Sequence, residues 1–467
     1  MVRQVRSGLF WVTALCMAAL AVWRIWSLGS GASDLGFTVH ALGAVARGGL
    51  GAPASWAGWT FLQDHFAPWL LPLAPLVATP WGGYLLVIAQ ALAYGVSMLL
   101  VWRLIQGSSF GRSERGLLLV GYAFAPALLF PLLFDVHSNV IAAPFLVLVL
   151  DGLIHDRRRE ALLAAIAAVG LREDVALLVG VLAVLYFPER RWSVVRLGVP
   201  AGLALIGWRI ASIGTPRTGY TVFYGYLSID RGSADLPSIL EGLAKAVWAD
   251  GYILLWLLAV LLPWVFWRPL GARPIVALFI AGFPYLAANS LLAKSVGFHY
   301  WALTPALMVA AVIEKGSMRL SRARWMMFVT WLGVVLLGGP IGFGTLGPGG
   351  TTVASIARGS TERSDVIKTA HEALACVPRG QSAALISQLT PLSGHLSEVH
   401  LLPHPFAPVS LRHGRVELEL AVVNPVWPEW VIGSDLPEAA QGHYELVTPN
   451  PMLWRSVNAV GSPSICT

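Results

Sequence analysis

Residues 161–187 read ALLAAIAAVGLREDVALLVGVLAVLYF, two apolar runs divided by the charged triplet Arg172-Glu173-Asp174. One helix crossing a bilayer needs about 20 apolar residues for a hydrocarbon core of about 30 Å, so the stretch is too long for one crossing and each half is short for its own. A charge facing the middle of the lipid costs roughly 2.5–3.5 kcal/mol. The triplet therefore predicts two short helices that meet at a polar corner, the arrangement a membrane permits only where protein or water covers the broken backbone.

The pattern extends outward along the chain. Apolar residues make up 56% of it and charged residues 12%, and the mean hydropathy is +0.67; a soluble globular domain of this size does not carry such a composition. An apolar stretch follows Arg3 and Arg6 and runs to about Leu28. It matches a signal peptide or a first spanning helix, and the many later spans favour a retained helix. Further apolar segments lie near 66–105, 116–134, 138–154, 161–187, 196–213, 252–267, 275–292, 300–314 and 325–342. Pro72, Pro75 and Pro80 divide 66–105 into a short interfacial element and one helix. The expected fold class is an all-α polytopic membrane protein of about eleven transmembrane helices, with a small C-terminal α/β extracytoplasmic domain. With the N-terminus cytoplasmic, Arg157-Arg158-Arg159, Arg190-Arg191 and the basic run ending at Arg324 fall inside. Before the C-terminal region only Arg47, Arg172, Arg217, Arg231, Lys245 and Lys294 fall outside, which satisfies the positive-inside rule for a multi-pass plasma-membrane protein. The formal charge of +7 is thus spent on orienting helices, and nucleic-acid binding is not expected.

The membrane domain is expected over 1–342 and an extracytoplasmic soluble domain over 343–467, after the break at Gly347-Pro348-Gly349-Gly350. In it 361–376 reads as a helix, and 382–386 and 416–420 read as strands. Three cysteines exclude a thiolate metal cluster. Cys16 lies in the first apolar run, and a disulfide between Cys376 and Cys466 is permitted, two unpaired thiols being the alternative. The histidines of this region, His371, His395, His400, His404, His413 and His443, show no metal-ligand spacing.

Polar residues able to do chemistry collect on the side expected to be outside. Leu35, Val39, Leu42 and Ala46 recur at helical spacing after Asp34, describing an amphipathic helix on the membrane surface that Asp34 either caps or uses as a functional carboxylate. The same loop ends in Asp64-His65 at the re-entry point. Asp135 and His137 sit in a very short connection, facing a wet cavity or the headgroups. The 172–174 triplet is a binding corner or a self-neutralising ion pair. Lys294 and His299 can meet an anion; Tyr300 and Tyr224 can anchor at the interface or stack on a sugar face.

Asp34-Leu35-Gly36, His65-Phe66-Ala67-Pro68, Phe134-Asp135-Val136-His137, Arg172-Glu173-Asp174-Val175, and His299-Tyr300 followed by Pro305 resemble the successive motifs of a bacterial family of predicted multi-pass membrane proteins, domain of unknown function 2079. That family is grouped with the GT-C glycosyltransferases, which use polyprenyl-phosphate sugars. Arg172 departs from the Lys more usual before the Glu-Asp pair. The resemblance implies a GT-C-like fold and inverting transfer of a sugar from a polyprenyl-phosphate donor to an extracytoplasmic glycan, lipid or protein, with Asp34 as base. His65, Arg172, Lys294, His299, Tyr300 and Tyr224 are then the substrate contacts, and a Mg or Mn ion on Asp135, His137, Glu173 or Asp174 is the alternative support for the phosphate. A transporter or flippase, or a non-catalytic scaffold or sensor, are the competing functions; transport would favour inverted repeats, and no repeat is visible.

Overall fold

The computed structural model describes residues 2–27, 29, 35–53, 60–213, 270–286, 301–315, 329, 332, 364–377, 379–380, 382–385, 391–396, 398–401, 430–432, 444–449 and 452–456. The chain's contacts divide it into two compact units, one of Met1–Ala21, Leu62–Trp69 and Val87–Ser355, the other of Val22–Phe61, Leu70–Leu86 and Ile356–Thr467.

The first unit is helical. It contains most of α1 (Val2–Trp26) and of α5 (Gly82–Gln106), then α6 (Arg112–Ala123), α7 (Pro126–Phe134), α8 (Ser138–Ile154), α9 (Arg158–Val169), α10 (Glu173–Leu185), α11 (Val199–Ala211), α12 (Ala272–Leu286) and α13 (Thr304–Lys315). α1 and α5 meet through small residues: a Cβ on Gly95 would stand 2.7 Å from that of Ala14, the close approach that replaces hydrophobic drive between helices in lipid. α8 and α9 form a hairpin in which Gly152 faces Ala161 just as tightly.

By length and composition, two helical stretches among the described residues are apolar enough to cross a membrane, Gly82–Gln106 and Val194–Ala211. The pair Arg112–Ala123 and Pro126–Leu133 makes a third if counted as one span. The helix expected over 116–134 is bent by 41° there, because Pro126 has no N–H to offer the preceding turn and drives Ala125 into extended backbone (φ −61°, ψ 124°). The expected corner in 161–187 is present: α9 and α10, of 12 and 13 residues, stop on either side of Gly170-Leu171-Arg172. The short element before α5 is also present: after the single turn α3 (Phe61–Asp64) comes a 3-10 turn over Pro68–Leu73, followed by α4 (Ala74–Val77). The spans expected at 252–267 and 325–342 lie almost wholly outside the described residues, so a count of eleven is not read from the fold.

The second unit holds α2 (Phe37–Gly48), α14 (Ser364–Cys376) and five strands. These are β1 (Ser382–Leu385), β2 (Glu398–Leu401), β3 (Trp430–Ile432), β4 (Tyr444–Pro449) and β5 (Met452–Ser456), in the order β2-β1-β3-β5-β4, with β1 parallel to both β2 and β3 and the other pairs antiparallel. The strand expected at 416–420 lies outside the described residues. The apolar face of α2 is covered by protein where an interfacial position had been expected, with Val39, Leu42 and Ala44 buried. Arg47 Nη1 donates to the Gly394 carbonyl (2.9 Å), and Gly394 is wedged between Val39 and the Val77 and Thr79 carbonyls with no room for a Cβ. Cys376 is disulfide-bonded; Cys16 is a free, exposed thiol, and Cys466 lies outside the described residues.

Candidate functional site

The break between α9 and α10 organises the site. Arg172 adopts extended backbone at the N-cap of α10 (φ −170°, ψ 149°), which places Glu173 and Asp174 in the first turn, where the exposed backbone N–H groups and the helix dipole favour negative charge. Glu173 reaches the loop that precedes Pro68. His65 donates through Nδ1 to Glu173 Oε1 (2.9 Å), and the Phe66 N–H donates to Glu173 Oε2 (3.0 Å). One carboxylate thus fixes both the ring and the backbone of the loop. Asp64 Oδ2 lies 3.7 Å from the other ring nitrogen, Nε2.

Trp69 completes the attachment. Its backbone N–H donates to the Gly170 carbonyl (3.0 Å) and its indole N–H to the Ile166 carbonyl (2.9 Å), two acceptors that the end of α9 leaves without helical partners. Gly170 is required here, because any Cβ would occupy the place of the indole. Phe66 packs against Gly207 of α11.

On the inner side of the break, Arg172 Nε lies 3.4 Å from Asp174 Oδ1, with the arginine only 4% exposed. Asn139 Nδ2 donates to Asp174 Oδ2 (3.0 Å), tying this corner to the first turn of α8. The residues just before α8 are held by a side chain that the sequence reading overlooked, Gln90 of α5. Its Nε2 donates to the Asp135 carbonyl (2.8 Å) and lies 3.3 Å from that of Leu132, while its Oε1 accepts from the His137 N–H (2.6 Å). An amide is suited to this, since the end of α7 leaves carbonyls and the start of α8 leaves an N–H to satisfy. A glutamine in mid-span was the available signal. Asp135 and His137 themselves are buried.

Of the residues named from sequence, His65, Arg172, Glu173 and Asp174 are thus gathered at one corner, and Asp135 and His137 are placed at the neighbouring break. Asp34, Tyr224, Lys294, His299 and Tyr300 lie outside the described residues. Among the described residues no group of three or more His, Cys, Asp or Glu is arranged to hold a metal ion. Both Glu173 oxygens accept hydrogen bonds from the loop.

The electrostatics of the corner are mixed. Burial and the Arg172 guanidinium pull the His65 imidazole down, but Glu173 and Asp64 outweigh them and hold it above its usual value. Among the described residues, three carboxylates, Asp64, Glu173 and Asp174, share the corner with Arg172 and the His65 imidazole.

In fold the chain is similar to ArnT from Cupriavidus metallidurans, whose crystal structure was determined bound to undecaprenyl phosphate: TM-score 0.57 and 15% identity, over 97% of this chain and 99% of that one. At that identity the likeness is one of architecture. A family model described as "Predicted membrane protein (DUF2079)" matches residues 24–407. No curated protein matches the chain in sequence.

Proposed function

The chain belongs to that family of predicted membrane proteins, and from this premise we propose that it is an inverting glycosyltransferase moving a sugar from a polyprenyl-phosphate donor to an acceptor outside the plasma membrane. The reading is supported most by one observation: in a fold shared with ArnT, a broken helix pair gathers Glu173, His65, Asp64 and Asp174 at a single polar corner. On this reading the N-terminus is cytoplasmic, and residues 343–467 are a small α/β domain outside that binds the acceptor glycan, lipid or protein or caps the site.

The reaction asks for little covalent help. As the bond from the sugar's anomeric carbon to the phosphate oxygen breaks, its electron pair leaves with the lipid phosphate, a good leaving group whose charge needs a cation beside it. The acceptor hydroxyl forms the new bond on the opposite face and gives up its proton to a carboxylate. Asp34 is assigned that base. For the phosphate, Arg172 is already matched with Asp174, which leaves Lys294 and His299 as the cations of choice, with Tyr224 and Tyr300 as aromatic contacts. No step is routed through a metal ion.

Asp34→Asn tests the assignment in vesicles supplied with radiolabelled polyprenyl-phosphate sugars. Transfer should fall roughly 10²- to 10⁴-fold with expression unchanged; undiminished transfer removes Asp34 from catalysis. A second reading, transport of a lipid or anionic solute, draws on the same broken helices, since discontinuous spans often line transport sites. Label that crosses the vesicle membrane without entering a new glycosidic product would favour it.

A further inference from the structure

We infer that the turn at 391–396 sets the position of α2 and, through it, of Asp34, with Arg47 and Gly394 as positioning residues. The inference rests on Asp34 being the base and adds what aims it: a piece of the C-terminal region, far along the chain.

The base is one peptide bond away from a fixed helix. Helical backbone continues ahead of α2 through Gly36 (φ −60°, ψ −45°), and Leu35 is fully buried. Asp34 is the next residue back, so α2 carries the attachment point of the carboxylate with it. Leu35, Val39, Gly43 and Arg47 follow one another at intervals of four and form one ridge along the helix. The last three of them meet Gly394. Val39 Cγ1 is 3.1 Å from where a Cβ of Gly394 would stand, a Cβ on Gly43 would be 3.0 Å from the Gly394 carbonyl oxygen, and Arg47 Nη1 donates to that oxygen (2.9 Å).

The opposite flank of the turn is closed as tightly. A Cβ on Gly394 would overlap the Val77 carbonyl at the end of α4 and crowd that of Thr79, and one on Gly83, in the first turn of α5, would overlap the Pro391 carbonyl. Leu392, Ser393, His395 and Leu396 are buried. The His395 carbonyl accepts from the N–H of Gly380 (3.0 Å), which lies between α14 and β1. The turn is thus a wedge filled on both sides and tied to the sheet's first strand. Interiors packed in this way pass a displacement on rather than absorb it. Since a shift of about 1 Å at a reacting group costs up to about 10² in rate, a change at the wedge is felt at the base.

The test uses the full-length protein in vesicles supplied with radiolabelled polyprenyl-phosphate hexose and pentose. Gly394→Ala and Arg47→Ala should each lower kcat about tenfold per folded molecule and leave the donor KM within twofold. Arg47→Lys, which restores an N–H donor, should bring the loss back to about threefold. A second readout does not depend on transfer. With Cys16→Ser removing the free thiol, Asp34→Cys is labelled from outside with a charged maleimide. Gly394→Ala should change its labelling rate at least threefold, while that of Lys368→Cys, at an exposed position of α14, changes less than twofold. Unchanged labelling at 34, equal changes at both thiols, or full kcat per folded molecule would each overturn the inference. A thiol at 34 that never labels would count against the base assignment and the inference together. If labelling responds as expected but the wild type makes no transfer product, the transferase reading alone is lost.

Discussion

Two carboxylates in the helical unit, Glu173 and Asp151, make similar hydrogen bonds and come to opposite ends. Both accept from a histidine Nδ1 and from a further donor: Glu173 from His65 and the Phe66 N–H, Asp151 from His155 (2.8 Å) and Arg157 Nη1 (2.9 Å). They lie near opposite ends of α8, a helix roughly 25 Å long at 1.5 Å per residue, since Asn139 in its first turn meets Asp174 and Asp151 stands in its last. Around Asp151 two arginines, Arg103 and Arg157, are shared with a second carboxylate, Glu160, so acids and guanidinium groups are matched. Arg103 Nη2 is 3.4 Å from Asp151, and Arg190 donates to the Leu153 and Ile154 carbonyls that end the same helix. At the Glu173 corner the described charged side chains are mostly carboxylates, and the imidazole is 35% exposed. A carboxylate matched with arginines is a latch. One whose neighbours are also acids can keep its histidine ready for a ligand.

The sharpest way to break this contrast is to remove both carboxylates in parallel. Asp151→Ala should lower stability by about 3 kcal/mol, toward the low end for breaking a buried ion pair because Arg103 and Arg157 remain partly exposed. Thermal unfolding in detergent would register this, and transfer per folded molecule should hold. Glu173→Gln should do the reverse, keeping the melting temperature within a few degrees while impairing use of the sugar-bearing donor. If both variants behave alike, the two sites are the same kind of structural pair.

Gln90→Leu comes next in size. It leaves the Asp135 carbonyl and the His137 N–H without their amide partner, at a cost of about 2 kcal/mol in the same unfolding measurement. Gly170→Ala forces a methyl group onto the Trp69 indole and should cost about 1–2 kcal/mol, accompanied by a change in tryptophan fluorescence as the loop shifts. The smallest effect is that of pH. The His65 imidazole is held above its usual value in the fold, so its stabilisation is complete below about pH 6.5, its unfolded value, and is lost as pH rises through the folded one. Wild type compared with His65→Gln at pH 6 and pH 9 should show a melting-temperature advantage at the lower pH that disappears at the higher; an advantage that grows with pH would reverse the assignment of its neighbours.

What the sequence by itself determined is the periodic and compositional part. Hydropathy identified a membrane chain, the 172–174 triplet predicted the divided helix pair, and the prolines of 66–105 predicted a short element before a long helix. These follow from local rules: lipid tolerates neither open backbone nor unmatched charge, and proline withholds a donor wherever it stands. The kink after Phe124 was not read from the sequence, although Pro126 is a local signal for it. Only the tertiary structure decided who meets whom. That Glu173 would close on His65, 108 residues earlier, that Gln90 would hold the end of α7, and that the face of α2 would be covered by the turn at Gly394 are outcomes of packing between segments far apart in the chain. Residue type announces that a charge or an amide needs a partner. It does not say which partner comes within 3 Å.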